Sequence, residues 1–146
     1  MKIISILMLT FYASAYSECQ NYLDDCEYYS CVESIKNCGK SGYPTGFGKK
    51  YCNKFEENLS SFSIEGQNWV SSVKHCLIEE MELISEAATC TTYKKKSVSK
   101  HVPCYVSSGY CSLSKEDKKI VIKTISGSLW RPSIIRAGLK VLSACK

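Results

Sequence analysis

Histidine, proline and tryptophan are scarce in this chain, at two, three and two among 146 residues. Neither His75 nor His101 stands near a Gly-x-Ser-x-Gly elbow, so no serine nucleophile has an evident proton acceptor. No Cys-x-x-Cys pair occurs, which excludes the spacing of a zinc ribbon or of a thioredoxin-type redox centre. Gly-x-x-x-x-Gly-Lys-Ser/Thr is missing too, so the glycines at 39, 42, 46 and 48, together with Pro44, read as turn-makers in an irregular loop rather than as a phosphate cradle. The Asp/Asn-rich loop of a calcium site is also absent. Glu79, Glu80 and Glu82 lie on a predicted helix that splays them around its axis, and they read as a solvated face. Internal repeats and low-complexity tracts are lacking, and beyond the first dozen residues no apolar run is long enough to cross a bilayer. The expectation is no membrane span, no metal, no cofactor and no catalytic residue.

What is present begins with Lys2 followed by the apolar stretch Ile3 to Tyr12, the charge-then-apolar order of a signal peptide. Small residues after it offer two cleavage points, behind Ala15 or behind Ser17. We take Ser17, giving a leader of residues 1–17 and a single secreted domain of residues 18–146. All ten cysteines fall in that domain, a density typical of disulfide scaffolds in oxidising compartments. Their even number points to five structural bridges and no free thiol. A cysteine protease is thereby excluded, and a covalent homodimer is not expected. The net charge of +5 favours solubility and does not imply nucleic acid. Lys94-Lys95-Lys96, with Lys100 and His101 nearby, could touch heparan sulfate or acidic lipid, but reads first as a solvated loop.

Apolar spacing predicts an all-α domain of about five helices. The first runs from Cys19 to Asn37, with Gly39 as its C-cap, and the second from Lys49 to Phe62. The third, capped by Ser63, runs from Ile64 to about Ala88, with Trp69, Val73, Cys76, Leu77, Ile84 and Ala88 on one stripe. Cys90 to Tyr110 is polar, carries Pro103, and reads as loop with at most a short helix between Ser97 and Val106. Ser114 caps a fourth helix that Gly127 ends. A fifth, from Leu129 or Pro132 to Cys145, places Trp130, Ile134, Gly138, Val141, Leu142 and Cys145 on one face.

Among enzymes of this size and make-up, the nearest rival is a secreted phospholipase A2. Its Cys-Cys-x-x-His-Asp-x-Cys motif fails here, where the order is Val73-Lys74-His75-Cys76-Leu77-Ile78. Both histidines read as partly exposed structural residues. Asn58-Leu59-Ser60 is the only Asn-x-Ser/Thr sequon, which makes Asn58 the candidate N-glycosylation site.

The ordered set Tyr51-Cys52-x-x-Phe55, Gly66, Trp69-Val70, Lys74-x-Cys76-Leu77, Cys90, Cys104-Tyr105, Cys111-Ser112 and a final Cys145 resembles the stanniocalcin family over nearly the whole secreted domain. Ten cysteines admit about 945 full pairings, among which spacing does not choose. The resemblance implies one: Cys19 with Cys31, Cys26 with Cys52, Cys38 with Cys90, Cys76 with Cys104, and Cys111 with Cys145. The first of these requires the Cys19–Asn37 helix to break or fold back. It also implies a hormone-like protein of calcium and phosphate balance that binds an extracellular receptor or a pappalysin-type protease. The further cysteine that links vertebrate protomers has no counterpart here. The alternative is a secreted lipid-acting enzyme or membrane-active protein.

Overall fold

The computed structural model describes residues 16–146; the predicted leader lies outside the described residues up to Ala15. All regular structure within that range is helical, in six α-helices: α1 Tyr28–Lys36, α2 Lys50–Glu57, α3 Ile64–Glu82, α4 Cys90–Ser107, α5 Lys115–Ile125 and α6 Pro132–Ala144. Local chemistry sets the starts of three of them. Ser63, Thr89 and Ser114 each accept a hydrogen bond from the backbone N–H three residues on, and so satisfy a donor that the first helical turn leaves unpaired.

The helix expected from Cys19 to Asn37 is broken. A 3-10 segment, Ser17–Tyr22, is followed by a turn and then by α1. That break brings Cys19 and Cys31 to a Cα separation of 5.7 Å, which a straight helix would hold more than three turns apart. Its C-cap is Asn37 in the left-handed conformation (φ 50°), two residues before Gly39.

Only the first part of the glycine-rich stretch, up to Gly42, is the irregular loop expected. Pro44–Lys49 is π-helical and runs straight into α2, with Pro44 in the first turn, where its missing N–H costs nothing. α2 stops at Glu57, and a 3-10 turn, Leu59–Ser61, leads to the Ser63 cap. α3 is shorter than its apolar stripe. Trp69, Val73 and Leu77 are buried as expected, and Ile84 is buried from the turn beyond the helix end.

The largest departure is α4, predicted as loop. Tyr93, Ser97 and Cys104 are its buried residues, and His101 lies on the same stripe. Two of those four side chains are polar, so a hydrophobicity pattern does not register them. Lys94, Lys95 and Lys96 are good helix formers with exposed heads. Pro103 sits on the exposed side, where water can satisfy the carbonyl it leaves unpaired.

α5 ends at Ile125, and the 3-10 turn Ser126–Ser128 carries Gly127. On α6 only Ile134 and Val141 of the expected face are buried. Trp130 and Leu142, expected on the same face, are 73% and 53% exposed. α4 lies at the centre of the packing, against α3 on one side and α6 on the other, while α2 packs on α5 and α1 on the π-helical segment.

The core is unusually aromatic: Tyr28, Tyr29, Tyr43, Tyr93, Trp69 and Phe47 are all buried and meet largely edge to face. Five bridges brace it, Cys19–Cys31, Cys26–Cys52, Cys38–Cys90, Cys76–Cys104 and Cys111–Cys145, and no cysteine is free. These are the five pairs that the stanniocalcin resemblance implies. Each contributes about 2 to 4 kcal/mol by restricting the unfolded chain.

Candidate functional site

The polar residues singled out in the sequence do not converge on one site. His75, on α3, is half exposed and held between two carboxylates: Nδ1 lies 2.9 Å from Asp24 Oδ1 and Nε2 lies 3.1 Å from Glu79 Oε1. The hydrogen bond to Asp24 raises its pKa, with slight burial opposing and Glu79 adding to the rise. Both ring nitrogens therefore face a carboxylate.

His101 is partly exposed, as expected, and packs among aromatic rings, 5.5 Å from the Phe47 ring and 5.9 Å from that of Tyr105. Burial pushes its pKa down to about 4, against the raising effect of the backbone hydrogen bonds it makes. It stays neutral at physiological pH and fills space.

The acidic cluster separates as helix geometry demands, and Glu79 stays exposed as expected. Glu79 meets His75, Glu80 meets Lys100 at 2.6 Å, and Glu82 is half-buried and accepts from the Tyr28 hydroxyl at 2.7 Å. Lys94, Lys95 and Lys96 stay exposed on α4, while Lys100 is taken by Glu80 and His101 by the core. Among the described residues no group of three His, Cys, Asp or Glu side chains is placed to hold a metal ion. Asn58, half-buried, follows the end of α2, and its Nδ2, the atom a glycan would occupy, donates to the Lys54 carbonyl at 2.7 Å.

The feature with the geometry of a binding site lies at the other end of the chain. Between α4, α5 and α6 runs an apolar groove of about 340 Å³. Val98 and Tyr105 of α4, Val121 and Ile125 of α5, and Ile134 and Val141 of α6 line it. Gly138 opens it, since a Cβ at that position would meet no atom within 4 Å. Its rim is apolar and exposed: Ile122 on α5, and Ile135, Leu139 and Leu142 on α6 at i, i+4 and i+7. The Cys111–Cys145 bridge ties the C-terminal end of α6 to the segment before α5, and thus holds the groove's walls in register.

Around this apolar surface the charge has one sign. From Lys118 to Lys146 the chain carries Lys118, Lys119, Lys123, Arg131, Arg136, Lys140 and Lys146, and no aspartate or glutamate. Exposed Trp130 stands at the end of the face, with the Arg131 guanidinium 5.2 Å from its ring. Sequence reasoning missed this site because it grouped Trp130 and Leu142 on one face with Ile134 and Val141 and did not separate the buried residues from the exposed ones. The signal available was the run of 29 residues without an acid, which solubility alone does not require. Compared with family models, curated proteins and solved structures, the chain has no significant match.

Proposed function

We propose that the protein is a secreted, hormone-like binding protein of the stanniocalcin kind, and that it acts by docking the α5–α6 face on an extracellular protein rather than by turning over a substrate. The observation that carries the reading is the bridge pattern. The five bridges together are one of about 945 full pairings, and it is the one that the stanniocalcin resemblance implies. Five bridges and no membrane-spanning helix among the described residues are consistent with an extracellular protein.

The docking face supports a protein partner over a lipid surface because it is concave. A groove of this volume accepts side chains from a protruding ridge, whereas amphipathic helices that lie on a bilayer meet it with convex apolar faces. The basic residues that the same stretch of chain carries favour a ridge flanked by acidic residues and speed encounter with it. A rigid, cross-linked face also loses little conformational entropy on binding. In this reading Asn58 carries the glycan, and glycosidase treatment of secreted protein reports its occupancy.

The test is binding of labelled, disulfide-intact protein to epithelial cell monolayers and to a purified pappalysin-type protease, with phosphatidylserine-containing vesicles as the competing probe. Gly138→Phe, which fills the groove, and Leu139→Ser, which removes its rim, should each weaken protein binding at least tenfold, about 1.4 kcal/mol or more. Saturable binding untouched by both variants would sink the docking face. Binding to vesicles alone would favour the membrane-active reading.

A further inference from the structure

Tyr16 stands two residues before the expected start of the secreted domain, yet it is fully buried. Its ring packs edge-on against Tyr93 with centroids 5.9 Å apart, and the Lys36 ammonium lies 5.9 Å from its centroid. Its carbonyl accepts from Cys19 N–H at 2.7 Å and so closes the first turn of the 3-10 segment beside the Cys19–Cys31 bridge. Its backbone nitrogen donates to Glu86 Oε1, and Lys36 Nζ donates to the Glu86 carbonyl at 3.1 Å, so Glu86 anchors this corner through both side chain and backbone. A chain beginning at Glu18 would discard this side chain, empty an enclosed site between α1 and α4, and unpair the first turn.

The backbone at Tyr16 is equally informative. Its φ is 61°, the left-handed region that an aromatic residue adopts only under strain. That strain comes from the carbonyl of the preceding residue. Once the Ala15–Tyr16 peptide bond is gone, the torsion becomes the free rotation of an amine, and the strain disappears with it. Ala13-Ser14-Ala15 places the small-x-small motif immediately before this bond.

We propose that the mature protein begins at Tyr16, and that its new α-ammonium forms an ion pair with the Glu86 carboxylate that pins the N-terminus to the turn between α3 and α4. In the step, a signal-peptidase-type protease adds water across the Ala15–Tyr16 amide. The C–N bond breaks, Ala15 leaves with a carboxylate, and the Tyr16 amine takes up a proton. A neutral amide N–H on Glu86 is thereby replaced by a cation, which strengthens a contact already in place. Processing so completes the fold instead of merely trimming a leader, and it moves the boundary two residues upstream of Ser17.

The experiment is secretion of the full chain from a eukaryotic cell, followed by N-terminal sequencing and intact mass of the protein in the medium. An N-terminal Tyr16 is expected; a first residue of Ser17 or Glu18, or a retained leader, overturns the cleavage site. For the ion pair, the secreted Glu86→Gln variant is compared with wild type under aminopeptidase. The variant should lose Tyr16 several-fold faster, and equal rates would overturn the pairing. A Glu86→Asp variant, which keeps the charge, should restore part of the protection.

Discussion

Asp117, in the first turn of α5, caps the start of α3 through Ser63: its Oδ1 accepts from the Ser63 backbone N–H at 2.9 Å and its Oδ2 from the Ser63 hydroxyl at 2.7 Å. The same hydroxyl accepts from Gly66 N–H, and Asp117 N–H donates to Ser114. Two helix N-termini far apart in sequence thus share one buried carboxylate, whose charge both dipoles favour.

Burial alone would raise the Asp117 pKa, but the hydrogen bonds from Ser63 and from Ser114 outweigh it and hold the carboxyl below its ordinary value of 3.8. Its stabilisation is therefore complete above that value and is lost as pH falls through the lowered one. Asp117→Ala should destabilise the protein by about 3 kcal/mol at neutral pH, because it strands the Ser63 donors. Urea midpoints of the variant and the wild type should converge as pH falls through the lowered carboxyl value. A constant gap across that range would assign the loss to packing.

Gly48 lies in the π-helical segment against Tyr29, and an added Cβ would overlap the Tyr29 ring. Tyr29 is buried beside Tyr28 and Tyr43 and cannot swing away. Gly48→Ala should cost about 1 to 3 kcal/mol as overpacking. Gly138→Ala, in open space on α6, should instead gain up to about 1 kcal/mol from helix propensity. Thermal or urea unfolding with the bridges intact reads both, and equal shifts would refute the close approach of Gly48.

The two histidines should titrate far apart. With its pKa raised above 6.5 by Asp24, His75 contributes stability that is present below 6.5 and lost as pH rises through the higher value. Because the group is half exposed, that contribution stays under about 1 kcal/mol and weakens with salt. His101, held down to about 4, should still be neutral where His75 is fully charged. Proton NMR of the two rings measures this directly, and His75→Ala should leave binding to cells or protease intact. Loss of a phospholipid-hydrolysing activity in that variant would restore the enzyme alternative.

The sequence by itself determined the helical class, the caps at Ser63 and Ser114, the buried stripe of Trp69, Val73 and Leu77, and the use of every cysteine in a bridge. Each rests on neighbours within a few residues or on composition, where the backbone's own needs for hydrogen bonds and apolar cover suffice. α4 was hidden because its inward stripe includes Ser97 and His101, which become interior only when Tyr43 and Phe47 close around the histidine. The π-helical entry to α2 was hidden by its glycines, of which Gly48 leaves room for the Tyr29 ring. Trp130 and Leu142 show the converse: their spacing fits a core face, but α4 and α5 meet α6 along Ile134 and Val141 and leave the others in water. Tyr16 is the sharpest case, a residue that reads as leader until Tyr93, Lys36 and Glu86, distant in sequence, fold around it. Periodicity reports which faces can be buried. Which of them is buried, and against what, depends on contacts between segments far apart in the chain, and only the tertiary structure decided those.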